Sequence, residues 1–132
     1  MIALDTNILV RYITQDDPIQ ALKVTNFINQ YVHKKNSLFI NNIVLCELVW
    51  VLQSGYKFSA LEIEKTLNYI LVTEEFSFEN QSILRESLKE CKKNTQDFSD
   101  ILIGKINQLQ YVCETTVTFD KKAASLKEFN LL

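Results

Sequence analysis

Apolar positions along this chain form short runs separated by longer stretches of helical spacing. Met1 to Leu4 is an apolar strand that stops at Asp5, with a helix beginning near Asn7. Pro18 suits the first turn of a helix capped by Asp16 or Asp17 and running to about Val32. Leu38 to Ile40 reads as a second strand, followed by a helix from about Asn42 to Gln53. Ser59, with Glu62 three residues later, predicts a capping box opening a helix over Ala60 to Leu71. Phe76 to Phe78 is a third short strand. Ile83, Leu84, Leu88 and Cys91 repeat at helical spacing, as do Phe98, Ile101, Leu102, Ile106 and Leu109. Thr115 to Phe119, β-branched and aromatic, predicts a buried strand that ends at Asp120. Strands alternating with helices imply an α/β fold, with a mostly parallel sheet covered on both faces. Ligands of such sheets bind beyond the carboxyl ends of the strands. Asp5 and Asp120 both lie at such ends.

Nothing resembles a linker or a repeat, so 132 residues read as one domain, residues 1–132. Composition narrows the chemistry. A hydrophobic fraction of 47% with 23% charged residues is that of a soluble globular protein, and a net charge of -2 argues against holding nucleic acid by bulk positive field alone. The three cysteines are scattered, which predicts reduced thiols, and neither a secretory leader nor a membrane span is expected; the location inferred is cytoplasmic. The single histidine, His33, cannot form the histidine pair of metal-free RNA cleavage and reads as a surface residue. Two glycines, Gly55 and Gly104, are too few for a Walker loop or a dinucleotide fingerprint.

Carboxylates remain, and each also has a plain structural reading. Asp5 can cap the helix that follows it. Glu47 lies in a stretch, Ile43 to Leu52, that is apolar almost all round a helix, which predicts a buried helix. A lone ionised carboxylate there is costly, so Glu47 is expected to be metal-bound, neutral, or paired with one of the two arginines, Arg11 or Arg85. Asp97 and Asp100 can serve the N-terminus of the helix they open, and Asp120 can cap the turn after it. Together these acids could converge on one pocket, where like charges need cations between them. Oxygen ligands without histidine or cysteine select Mg2+ or Mn2+ over zinc. Such clusters serve phosphodiester hydrolysis. A positive rim of Arg11, Lys92, Lys93, Lys105 and Lys121 could hold RNA, although lysines are more often ordinary solvated surface.

The opening Met1-Ile2-Ala3-Leu4-Asp5-Thr6-Asn7-Ile8-Leu9-Val10-Arg11 resembles the start of PIN-domain nucleases, especially VapC-type toxins of toxin–antitoxin pairs. Asp97-Phe98-Ser99-Asp100-Ile101-Leu102-Ile103-Gly104 and Thr118-Phe119-Asp120-Lys121-Lys122-Ala123 resemble later motifs of that family. The segment Ile43 to Leu52 resembles the helix that carries its second acid. The resemblance runs over nearly the whole chain and implies a PIN-like three-layer α/β/α fold with a short, mostly parallel central sheet. By it, Asp5, Glu47, Asp100 and Asp120 match the acids that bind Mg2+ or Mn2+ and cleave RNA. Asp97 matches a further metal-binding acid that only some members carry. Thr6, Asn7 and Thr118 fall where small polar side chains line the site. The family also implies a homodimer, a cognate antitoxin whose peptide fills the groove, and higher-order complexes with it.

Three other functions compete. A catalytically idle PIN-like module for protein–protein contacts loses one or more acids, whereas all four positions are filled here. A receiver-type signalling domain needs an aspartate after a mid-chain strand, but no aspartate lies between Asp17 and Asp97. A haloacid-dehalogenase-type phosphatase wants a second aspartate two residues after the first, and Asn7 stands there.

Overall fold

The computed structural model describes residues 1–93 and 97–132. The chain resolves into two compact units, Met1–Glu79 and Asn80–Leu132.

The first unit runs β1 (Ile2–Ala3), α1 (Thr6–Thr14), α2 (Pro18–Asn29), β2 (Leu38–Ile40), α3 (Asn42–Ser54), α4 (Ala60–Val72) and β3 (Phe76–Phe78). Its sheet has the order β1-β2-β3, parallel throughout, with Ile2 beside Leu38 and Leu38 beside Phe76. Local sequence explains where the helices start. Asp17, not Asp16, caps α2 by accepting the Gln20 N–H, and Pro18 takes the first turn, where no N–H is needed. Asn41 caps α3 through the Val44 N–H, and the Ser59–Glu62 capping box opens α4 as expected. The expected end of α2 near Val32 is corrected to Asn29. There the N–H groups of Gln30, Tyr31 and Val32 turn to carbonyls three residues back, and His33 adopts a φ of 66°.

A second correction concerns α3. Its composition suggested burial on every side, but only the stripe Val44, Leu45, Leu48, Val49 and Leu52 is buried. Ile43 and Trp50 are 71% and 69% exposed, and Glu47 shares that open face. The packed stripe recurs every three to four residues, as one helix face requires. The apolar residues outside it therefore reflect composition, not burial.

The second unit runs α5 (Gln81–Lys93), α6 (Phe98–Lys105), a π-helical turn (Ile106–Gln110), β4 (Thr116–Thr118), a 3-10 turn (Ala123–Ser125) and β5 (Phe129–Leu131). Strands β4 and β5 pair in parallel, with Thr116 beside Phe129 and Thr118 beside Leu131. Ile101, Ala123, Leu126 and Phe129 form a small core, with Cys91 packed against it. The helix expected to continue to Leu109 changes to wider π-helical winding after Lys105. Strand β4 forms within the expected segment but is not buried: Val117 is 57% and Phe119 79% exposed. In the described residues β4 is hydrogen-bonded to β5 alone.

Candidate functional site

In the first unit, β1 delivers Asp5 to the start of α1. There Asp5 Oδ1 accepts the Thr6 N–H at 2.7 Å, so the capping role is real. Thr6 is itself buried, and its hydroxyl donates to Glu47 Oε2 at 2.6 Å. Asp5, Thr6, Asn7, Arg11, Glu47 and Tyr56 share one open groove of about 380 Å³. The expected options for Glu47 were framed by burial. Because the residue is exposed, that premise is corrected: its partner is a threonine hydroxyl, and water solvates the rest. The surviving sequence signal is placement, since α1 and α3 bring Asp5, Asn7 and Glu47 to the same groove.

In the second unit, α6 begins with Asp97, whose side chain makes no capping bond; its nearest cation is Lys122 Nζ at 4.0 Å. Asp100, one turn on, is half-buried. Desolvation, followed by the charges of Asp97 and Asp120, raises its pKa above the ordinary aspartate value, while Lys122 opposes the rise. Asp120 Oδ1 accepts the N–H groups of Lys122 at 2.8 Å and Ala123 at 3.2 Å, and so caps the turn after β4. Thr118 Oγ1 accepts the Asp120 N–H at 3.0 Å, fixing the backbone that carries the acid. Asp97 and Asp120 thus both press on Asp100 electrostatically.

The cationic candidates divide. Arg11 lies in the groove of the first unit, while Lys92, Lys93 and Lys121 are exposed. Lys105 is corrected. It is 6% exposed, and its Nζ sits 2.7 Å from Glu128 Oε1, itself buried, so this ammonium is committed to an internal ion pair and cannot serve a rim. Nearness in sequence to Asp100 was a poor guide, because five residues along a helix turns a side chain to another face. Lys122, passed over in the sequence, is the lysine that influences Asp100, and the Lys121-Lys122 pair after Asp120 was the available signal. Tyr56 had no such signal. It reaches Arg11 from 45 residues away.

The acids in both units offer oxygen donors without histidine or cysteine, a set that suits hard divalent cations. Among the described residues, no three His, Cys, Asp or Glu side chains gather as a ready ligand group. The like-charge pressure on Asp100 is of the kind a bound cation relieves.

A model of the PIN domain matches residues 2–128, across both units. The chain belongs to the PIN-domain family. This bears out the expected resemblance and the α/β class, and every strand pairing in the described residues is parallel. The PIN-domain chain is also similar to a protein of Aquifex aeolicus (strain VF5) named VapC ribonuclease. The two are 29% identical over 100 residues, which is 75% of this chain and 73% of the relative. No solved structure matches. No helix among the described residues is long and apolar enough to cross a membrane.

Proposed function

We propose that this PIN-domain protein is a metal-dependent endoribonuclease and the toxin of a toxin–antitoxin pair. The observation that carries the reading is the PIN-domain match over residues 2–128, joined by a half-buried Asp100 whose carboxyl is raised by burial, Asp97 and Asp120 against the opposing charge of Lys122. Such an arrangement is unfavourable for folding alone and suits a cation site. The name of the Aquifex relative supports RNA as the substrate.

In this reading Asp5, Glu47, Asp100 and Asp120 carry the cleavage and hold Mg2+ or Mn2+, and Asp97 adds charge to the same metal set. An ion held by these carboxylates would supply an activated water and offset charge on the leaving oxygen. Thr6 orients Glu47 through its hydroxyl, and Asp5 is fixed by the Thr6 N–H. Thr118 holds the Asp120 backbone. Asn7 lines the groove, while Lys92, Lys93 and Lys121 offer exposed positive charge to RNA phosphates. The proposed setting is the cytoplasm, as a homodimer restrained by a cognate antitoxin protein.

The test is incubation of purified protein with total RNA in Mg2+, Mn2+ or EDTA, followed by mapping of fragment ends. Cleavage at defined sites with either metal, and none in EDTA, is expected. Full activity in excess EDTA would sink the metal mechanism. Absence of cleavage under every condition would instead favour an idle module acting through protein contacts.

A further inference from the structure

The groove that holds Asp5 and Glu47 contains a second polar assembly built around Arg11. Arg11 Nε donates to Gln20 Oε1 at 2.7 Å, and Nη1 donates to Asp16 Oδ1 and to the Tyr56 hydroxyl oxygen, both at 3.2 Å. The Tyr56 hydroxyl in turn donates to Asp16 Oδ2 at 2.5 Å, and Thr14 Oγ1 donates to Asp16 Oδ1 at 2.8 Å. Both Asp16 oxygens are therefore engaged. The guanidinium is held at Nε and Nη1 by residues of α2, of the α1–α2 turn and of the segment after α3. Among the described residues, Nη2 makes no hydrogen bond. Arg11 is also the cation among the side chains lining this groove, against the carboxylates of Asp5 and Glu47.

We propose that Arg11 is a preset clamp for a backbone phosphate of single-stranded RNA, and that Tyr56, Asp16 and Gln20 are the positioning residues that aim it. The inference rests on the ribonuclease reading above. A groove lined by two acids repels a phosphodiester, and a fixed guanidinium offsets that repulsion. With Nε and Nη1 held by protein partners, the unengaged Nη2 can donate to a phosphate oxygen without loosening them, which a lysine, with a single nitrogen, cannot reproduce. An arginine already held in one rotamer loses less freedom on binding than a mobile one. The same contacts also tie α1 to the segment after α3. A staple of that kind alone predicts lower stability on mutation, with RNA binding unchanged in its salt dependence.

The experiment is fluorescence anisotropy of a short, end-labelled, single-stranded RNA over a series of NaCl concentrations, with EDTA present to prevent cleavage. The proteins are wild type, Arg11→Ala, Arg11→Lys, Tyr56→Phe and the Arg11→Ala/Tyr56→Phe double variant, each shown folded by thermal melting. Arg11→Ala is expected to raise Kd by about tenfold, the loss of one charged hydrogen-bonding contact. It should also reduce the slope of log Kd against log salt by about 0.7, for one phosphate contact. Arg11→Lys should restore the slope but not the full affinity. Tyr56→Phe should weaken binding severalfold alone and add nothing in the Arg11→Ala background, because it acts through Arg11. Unchanged Kd and slope in Arg11→Ala, additive losses in the double variant, or no RNA binding by wild type would each overturn the clamp. Should Arg11→Ala not fold, Tyr56→Phe decides, since it removes one hydroxyl and unchanged affinity there overturns the positioning role. Cleavage of the same RNA by wild type with Mn2+ tests the ribonuclease reading separately. Clamp-dependent binding without cleavage would count against that reading and leave the clamp standing.

Discussion

The Thr6 hydroxyl donates to Glu47 Oε2 at 2.6 Å, joining side chains 41 residues apart in sequence. A hydrogen bond this short to a carboxyl oxygen is strongly directional. It sets the rotation of a carboxylate that would otherwise swing freely on an exposed helix face, and it links the start of α1 to α3.

The first prediction follows from that bond. Thr6→Val keeps the shape and removes the donor, so cleavage should fall by roughly 10- to 100-fold, the usual loss when a ligand's orienting partner goes. Stability should fall by about 1 kcal/mol or less, since water can solvate Glu47 in its place. Glu47→Gln should abolish cleavage with a similarly small change in the metal-free melt. Steady-state kinetics and thermal melts in EDTA read both effects, and an active Glu47→Gln protein would remove the residue from the reaction.

A second prediction separates the two acids of α6. Asp100→Asn should reduce cleavage by roughly 100-fold or more, whereas the more exposed Asp97→Asn should cost only a few-fold, by analogy with outer-shell changes. Stability carries a sign. A carboxyl whose folded pKa is raised makes an unfavourable contribution that develops as pH rises through the unfolded and then the folded pKa. Metal-free Asp100→Asn should therefore melt slightly higher than wild type at pH 7, and the gap should close under acid. Equal loss of activity from both substitutions would show that the division between Asp97 and Asp100 is wrong.

Metal should stabilise as well as activate. At a free Mn2+ concentration a hundred times Kd, binding to the folded state alone adds about 2.7 kcal/mol. The melting temperature of wild type should rise accordingly, and Asp100→Asn should lose most of that rise. Differential scanning calorimetry with and without EDTA checks it; an identical shift in both proteins would place the ion elsewhere.

Lys105 and Glu128 form a buried pair at 2.7 Å, with side chains 7% and 2% exposed. Removing one partner strands the other charge, so Glu128→Ala should destabilise by about 3–5 kcal/mol. Replacing both with apolar residues of similar volume, Lys105→Met with Glu128→Leu, should cost far less. Denaturant unfolding of the three proteins settles the matter, and a Glu128→Ala variant as stable as wild type would refute the pairing.

Acid should expose the Asp16 network. The Tyr56 hydroxyl, then Thr14, then Arg11 hold the Asp16 pKa below its ordinary value. A depressed carboxyl contributes stability that is present above the unfolded pKa and lost as pH falls through the folded one. Tyr56→Phe removes the largest cause, so wild type should exceed it in stability at neutral pH, with the difference shrinking in acid. A constant difference down to pH 2 would mean that Tyr56 acts by packing alone.

Much of the fold was legible because punctuation and periodicity agreed: Pro18, Ser59 with Glu62, and the strand-ending Asp5 each mark a boundary that the structure keeps. Burial was harder to read. In α3, Ile43 and Trp50 look like core residues by composition, and only the three-dimensional neighbours of each face decide which side is covered. The acids stood out as candidates because carboxylates at strand ends, at helix starts and on an apolar helix have few roles. Tyr56, Asp16 and Gln20 were not found, because their meeting at Arg11 depends on where the segment after α3 passes. Lys105 was misplaced for the same reason, since its partner lies 23 residues onward.

The close approach at Gly104 has an evolutionary consequence. A Cβ there would stand 2.7 Å from the Phe129 ring and 3.0 Å from Glu128 Cβ. The adjoining Lys105 is tied by charge to Glu128. Positions 104 and 105 therefore cannot drift independently of 128 and 129: a side chain gained at 104 calls for a smaller residue at 129, and a lost charge at 105 calls for a lost charge at 128. Among descendants of this sequence, the Gly-Lys step and the Glu-Phe step should be inherited as a linked quartet. A chimera that exchanges only one of the two steps with a distant relative should fold poorly, even where each parent folds well.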